Sequence, residues 1–207
     1  MHLVKFMSPI VSEFMQIQQL KQAVEAILFV ADQPLSEAQL VEHFSSENVS
    51  RKMLKEVLTL LQQEYQERGV QLCLVASGYR FQTRAELGGI ISRLWREKPP
   101  RYSQALLETL ALIAYRQPIT RGDIEEIRGV SVSSQIMKTL QERGWVKVVG
   151  HREVPGRPQL YATTNEFLDY FSLQDLSELP AIPEPIEKAA NTGQTAQAPA
   201  ETATNIE

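Results

Sequence analysis

Apolar residues recur at helical spacing from Leu20 onward. Leu20, Ala23, Val24, Ile27, Leu28 and Ala31 fall on one stripe, which predicts an amphipathic helix from Leu20 to about Ala31. Asp32-Gln33-Pro34 ends it, because the residue before a proline is pushed out of the helical region. Ser36 and Gln39 then stand at capping-box spacing and open a second helix with Ala38, Leu40, Val41 and Phe44 as its apolar positions. After the polar turn Ser45-Ser-Glu-Asn48, Ser50 can cap a third helix, Arg51 to Arg68. Its stripe is Met53, Leu54, Val57, Leu58, Leu61 and Tyr65, and Gly69 is expected to stop it.

The period then drops to two. Val70, Leu72 and Leu74 alternate with Gln71, Cys73 and Val75, Ala76-Ser-Gly78 turns, and Tyr79-Arg-Phe-Gln-Thr83 returns, which predicts a β-hairpin. A helix carrying Leu87, Ile90, Ile91, Leu94 and Trp95 is expected to close this unit, and Pro99-Pro100 reads as a short stiff linker.

The same order returns 84 residues later. Ile27-Leu-Phe-Val-Ala-Asp-Gln-Pro-Leu-Ser36 reappears as Ala111-Leu-Ile-Ala-Tyr-Arg-Gln-Pro-Ile-Thr120, with Leu40 falling on Ile124. Repetition at this length means two copies of one small domain. In the second copy Ser103 precedes a helix through Tyr115, and Gln117-Pro118 breaks it. Thr120 and Asp123 have capping-box spacing, with Ile124 and Ile127 facing inward up to Gly129. Ser133 to Arg143 is the third helix, with Ile136, Met137 and Leu140, and Gly144 stops it. Trp145–Val149 and Gln159–Thr163 form a hairpin around the long loop Gly150–Pro158, and Thr163 or Thr164 caps a last helix with Phe167, Leu168, Tyr170 and Phe171.

Three helices followed by a hairpin describe a winged helix-turn-helix. The fold class is therefore mainly α with small β-hairpins (α+β), as two tandem winged helix-turn-helix domains. The expected organisation is an N-terminal extension over 1–18, a first winged-helix domain over 19–97 and a second over 101–174. An acidic tail poor in apolar surface follows over 180–207 and is expected to be disordered.

Charge narrows the function. The chain of 207 residues carries −4 overall, but residues 172–207 hold −5 of it and residues 20–171 come to +1. A near-neutral domain pair lacks the positive field that drives tight phosphate binding, which favours protein partners and leaves room only for weak DNA contact. The lone Cys73 lies in a strand, so a buried, inert thiol is expected. The N-terminus is a poor signal peptide, and no apolar run is long enough to span a membrane.

Few residues offer chemistry. There is no glycine-rich phosphate loop and no paired cysteine, and His2, His43 and His151 lie in three separate regions. Asp123, Glu125 and Glu126 read as first-turn acids that complement a helix dipole. No enzyme activity, cofactor, metal or small-molecule substrate is expected.

The rival reading is a DNA-binding transcriptional regulator. The third helix of the first unit offers Arg51, Lys52 and Lys55. That of the second offers mostly serine, with Lys138 beyond it. The second wing adds Lys147, Arg152 and Arg157 as candidate phosphate contacts. Its Gly156-Arg-Pro158 loop pairs a freed, a forked and a locked residue, which also suits contact with a protein.

Several stretches resemble one family, segregation and condensation protein B, over about residues 18–182. They are Val24-Glu-Ala-Ile-Leu-Phe29, Tyr115-Arg-Gln-Pro-Ile119, Glu126-Ile-Arg-Gly-Val130, Leu140-Gln-Glu-Arg-Gly144, Gly156-Arg-Pro158 with Leu160-Tyr161 and Thr163-Thr164, and Asn165-Glu-Phe-Leu-Asp-Tyr-Phe171. The stretch Val130-Ser-Val-Ser-Ser134 departs from the usual pattern. The resemblance implies a non-enzymatic, cytoplasmic subunit of a condensin-like complex, associated with the nucleoid through that complex. It implies a homodimer joined through the first domains that binds the kleisin subunit ScpA and, through it, an SMC ATPase. Arg128, Gly129, Gly156, Arg157, Pro158, Leu160 and Tyr161 are the expected partner-binding positions.

Overall fold

The computed structural model describes residues 9–47, 49–94 and 102–181, with side chains from Ile17 onward. Its first helix, α1 (Pro9–Val30), begins a full three turns before Leu20. From Leu20 on, the predicted stripe holds: Leu20, Val24 and Leu28 are buried, and the helix packs on α3. α2 (Glu37–His43) is closed by the expected box. The Gln39 N–H donates to Ser36 Oγ at 3.3 Å, and the Ser36 N–H donates to Gln39 Oε1 at 2.9 Å. Leu40 and Phe44, one turn apart, enter the core. Ala38 stands two positions before Leu40, on the opposite face, and is exposed rather than inward.

α3 (Arg51–Glu64) is capped by Ser50, whose Oγ accepts the Met53 N–H at 3.2 Å. It ends at Tyr65, four residues short of Gly69, and turns carry the chain to the strand. Gly69 is thus not the helix stop. A Cβ there would press on the Leu87 side chain at 3.0 Å, so a packing contact explains the glycine better than a left-handed cap.

Strands β1 (Val70–Val75) and β2 (Gly78–Thr83) pair in the register Leu72↔Phe81 and Leu74↔Tyr79. Leu35 adds a bridge to Tyr79, with N–H···O bonds of 3.0 and 2.8 Å. Gly78 has φ 143°, and a Cβ on it would overlap the Leu35 carbonyl. Cys73 is half-buried rather than buried, and burial still raises its thiol pKa, which keeps it protonated and unreactive.

The expected closing helix does not form as one piece. A 3-10 turn (Ala85–Leu87), the single turn α4 (Gly88–Ile91) and a second 3-10 turn (Ser92–Leu94) replace it, leaving Ile90 and Leu94 exposed. Two consecutive glycines deprive that segment of helix propensity. Trp95 and Pro99-Pro100 lie outside the described residues.

The second unit contains α5 (Gln104–Arg116), α6 (Arg121–Arg128), α7 (Ser134–Glu142) and α8 (Asn165–Tyr170). Ser103, Thr120, Ser133 and Thr164 cap them in turn. Its sheet has three strands in the order β3-β5-β4: β3 (Ile119–Thr120), β4 (Val146–His151) and β5 (Gln159–Thr163). β3 is the repeat's counterpart of the Leu35 bridge. Each unit thus has three helices, a bridge (Leu35) or short strand (β3) leading to a two-stranded wing, and a further short helix after it, which is the winged-helix arrangement, and each has its own core. Val24, Leu40, Leu54, Val57 and Leu61 fill the first, and Ile113, Ile124, Val132 and Leu140 the second.

The units also touch. The β1–β2 turn meets the end of α8: the Ala76 N–H donates to the Leu173 carbonyl at 2.9 Å and the Ser77 N–H to Asp169 Oδ1 at 3.0 Å. Arg80 Nη2 donates to the Asp169 carbonyl at 2.7 Å and to Ser172 Oγ at 3.2 Å.

Candidate functional site

The second wing and the α6–α7 turn gather most of the residues singled out in the sequence. α6 is where the wing is tied down. Thr120 Oγ1 accepts the Asp123 N–H at 3.2 Å, and Asp123 Oδ2 accepts the Thr120 N–H at 3.0 Å. The same carboxylate takes both Nη groups of Arg152, at 2.8 and 2.6 Å. That fork, together with the Thr120 N–H, holds the Asp123 pKa at about 2.

Glu125 does a second local task. Its Oε1 accepts the Val132 N–H at 2.9 Å and Arg121 Nε at 3.0 Å, which fixes the turn leading into α7. The Val132 amide, and then Arg121, lower its pKa. Of the three acids read as dipole partners, Asp123 and Glu125 have specific backbone partners, while Glu126 is exposed.

Arg128, in the last turn of α6, lies back against α5. Nη2 donates to Glu108 Oε2 at 2.9 Å and Nη1 to Thr109 Oγ1 at 3.3 Å, and only 9% of the side chain is exposed. Its Nε is buried without a partner. Gly129 takes φ 69° and closes the helix. Beside it Ile127 and Val130 are exposed, so Ile127 does not face inward as its spacing suggested. The core on this short helix is served by Ile124, and Ile127 falls on the rim where α6 meets solvent.

In the wing, β4 and β5 pair as Lys147↔Ala162 and Val148↔Tyr161, with a bulge before Gly150↔Leu160. The loop folds on itself: the Arg152 N–H donates to the Pro158 carbonyl and the Arg157 N–H to the Val154 carbonyl, both at 2.9 Å. Gly156 (φ 88°) and Arg157 (φ 38°) both sit in the left-handed region. Gly156 and Arg157 are exposed, and Pro158 and Leu160 are half-buried. Tyr161 is a core residue, with its hydroxyl donating to Gln159 Oε1 at 2.7 Å, so it supports the wing from beneath and offers no outward face.

Four of the basic positions have carboxylates beside them at the surface. Arg152 is held by Asp123 and Arg157 by Glu153 at 2.8 Å. Lys138 lies 3.6 Å from Glu142, and Lys55 lies 3.7 Å from Glu37. Lys147 is exposed on β4 and has no ion pair among the described residues. A phosphate arriving at this wing would compete with carboxylates already in place.

The Gln-Pro signal of the repeat has a function in the fold that spacing did not reveal. Gln117 Oε1 accepts the Thr163 N–H at 2.8 Å, and its Nε2 donates to the Ala114 carbonyl and Thr163 Oγ1. It clamps the end of α5 to β5. Among the described residues no group of three His, Cys, Asp or Glu side chains could hold a metal ion, and no helix is long and apolar enough to cross a membrane.

Comparison with known proteins accounts for both units together. Residues 22–182 match the family model described as segregation and condensation complex subunit ScpB. The segregation and condensation protein B homolog of Coxiella burnetii is 52% identical over 168 residues, covering 81% of this chain and 80% of its own. Segregation and condensation protein B of Desulforamulus reducens is 45% identical over 86% of this chain and 94% of its own. Among solved structures, a dimer of an ScpB N-terminal domain complexed with an ScpA peptide is 30% identical over 39% of this chain and 99% of that one, at a TM-score of 0.34.

Proposed function

The chain belongs to the ScpB family of segregation and condensation complex subunits, and from that premise we propose a non-enzymatic, kleisin-binding role for it. In this reading it forms a homodimer through the first unit and captures a segment of the kleisin ScpA. Through ScpA it joins an SMC ATPase that supplies the hydrolysis. It works in the cytoplasm and reaches the nucleoid through the complex, with weak or indirect DNA contact.

One observation carries the reading. The wing is built like a DNA-reading wing, yet Arg152 and Arg157 are both engaged by carboxylates of their own unit. Beside the exposed Lys147, apolar side chains also face outward: Ile127 and Val130 beside Gly129 in the second unit, Phe29 and Val30 at the end of α1 in the first. Such faces suit protein contact more than phosphate contact. An extended kleisin segment that orders on binding fits surfaces of this kind.

The test is co-purification of the full chain with the ScpA of the same organism. A stable complex at micromolar concentrations is expected, and absence of one sinks the proposal. A sequence-preferring duplex shift that weakens steeply with salt would instead support the transcriptional-regulator reading.

A further inference from the structure

The two copies of the repeat treat the same sheet edge differently. In the second copy Tyr161 pairs with Ile119, and the next outward amide on β5, the Thr163 N–H, is closed by the Gln117 side chain at 2.8 Å. In the first copy Tyr79 pairs with Leu35 through both its N–H and its carbonyl. Backbone groups two and four residues on point the same way, so Phe81 and Thr83 present theirs at the outer edge of β2. Gln33, the counterpart of Gln117, is exposed and makes no hydrogen bond among the described residues. No described backbone group meets the outer edge at Phe81 and Thr83.

The helix ends differ in the same sense. α5 ends on Arg116, a cation where the macrodipole favours one. The equivalent position after α1 is Asp32, and the last turn of α1 holds no basic residue. Asp32 is exposed and has no ion pair among the described residues. The first copy thus combines an open edge with an acid at the wrong end of a helix, two locally unfavourable choices at one place. Between them lies a cleft of about 460 Å³, with Leu28, Phe29, Ala31 and Phe81 among its apolar walls and Asp32 and Thr83 on its lining. Val30 is not part of the lining and stays available to a second copy.

We propose that an extended segment of a partner protein adds to the β2 edge as a further strand, in line with the Leu35 bridge. Its backbone pairs with Phe81 and Thr83, an apolar side chain enters the cleft, and a Lys or Arg meets Asp32 and the carbonyl end of α1. Charge selects this occupant. The acid and the helix carbonyls repel a phosphate backbone. A second copy pairing through the same edge about a two-fold axis would bring two uncompensated acids into one interface. The assignment rests on the kleisin reading, in which the basic and apolar segment belongs to ScpA.

Amide hydrogen exchange of the full chain, read by NMR with and without the ScpA of the same organism, tests it. Phe81 and Thr83 should exchange freely in the chain alone and slow about tenfold or more in the complex. Tyr79, already bonded to Leu35, should be protected in both. Asp32→Arg gives the first copy the charge of the second. It should leave α1 folded, since a cation suits that helix end, and weaken ScpA binding about tenfold or more. Thr83→Pro removes one edge N–H without touching the bonds to β1 and should weaken binding as well. A complex that forms with Phe81 and Thr83 unchanged, and with wild-type affinity in both variants, would overturn the edge assignment and leave the kleisin reading standing. Protection that appears without ScpA as the chain is concentrated would also overturn it, by giving the edge to a second copy. Absence of any complex is the separate failure of the kleisin reading, and the edge assignment falls with it.

Discussion

Asp123 closes the N-terminus of α6 and anchors the wing through Arg152 with a single carboxylate. Its pKa is held near 2, below the ordinary 3.8, because the charged form is what both partners bind. A depressed carboxylate adds stability that is complete above its ordinary value and is lost as pH falls from there toward 2. Asp123→Asn keeps an acceptor for the Thr120 N–H but loses the ion pair. It should lower stability at neutral pH by about 1 kcal/mol in urea unfolding, the size of a well-formed surface pair. It should also flatten the acid limb of stability between pH 4 and pH 2, and an unchanged limb would mean that Asp123 contributes nothing there. Gly78 is a sharper case, because both its φ of 143° and the overlap of any Cβ with the Leu35 carbonyl forbid a side chain. Gly78→Ala should cost upwards of ~3 kcal/mol, since strain and displacement of the Leu35 bridge add. Gly89→Ala, with open space around it and an ordinary backbone, is the matched control and should be neutral or slightly stabilising.

At the scale of elements, the contact between the β1–β2 turn and the end of α8 joins the two units at a few hydrogen bonds. Arg80 contributes two of them, to the Asp169 carbonyl and to Ser172 Oγ. Arg80→Ala should leave both cores folded while loosening their coupling. Backbone ¹⁵N relaxation should then show the two units tumbling less as one body, and identical relaxation would assign the coupling elsewhere. This contact also marks where reading along the chain stops working. Helix stripes and caps were legible because each is local: Ser36, Ser50 and Thr120 cap where spacing placed them, and Thr164 is the cap of the two threonines that spacing offered. β3, at two residues, is too short to show a period, and only its pairing with β5 makes it a strand. The segment from Ala85 to Leu94 has helical spacing but a Gly88-Gly89 pair, and propensity overrode pattern. Among the candidate contact residues, alternation alone could not decide which face of β5 is inward, and that face buries Tyr161. Sequence alone points Arg128 to a protein partner and Arg152 to a phosphate because their partners, Glu108 and Asp123, are 20 and 29 residues away in the chain.

The whole molecule combines a nearly neutral folded part with an acidic C-terminal stretch, and its outward apolar residues are concentrated in patches. Phe29 and Val30 end α1 at 59% and 80% exposure, next to Phe81, whose ring lies 5.0 Å from that of Phe29. Large apolar side chains left together at a helix end are better accounted for by a partner than by solvent. In the proposed homodimer this patch is the part of the first unit best suited to meet a second copy. Val30→Asp tests it cleanly, because a side chain so exposed contributes little to the core of its own unit. The wild-type chain should elute with twice the 23.4 kDa of one copy in size exclusion with light scattering, and the variant should move toward a single copy on dilution. A charge buried in a dimer interface without a partner costs several kcal/mol, which is enough to shift a micromolar dimer to monomer. Urea unfolding of the variant, measured where both proteins are monomeric, should match the wild type. A variant that remains dimeric would move the interface off the end of α1, toward other exposed apolar residues of the first unit such as Ile90 and Leu94.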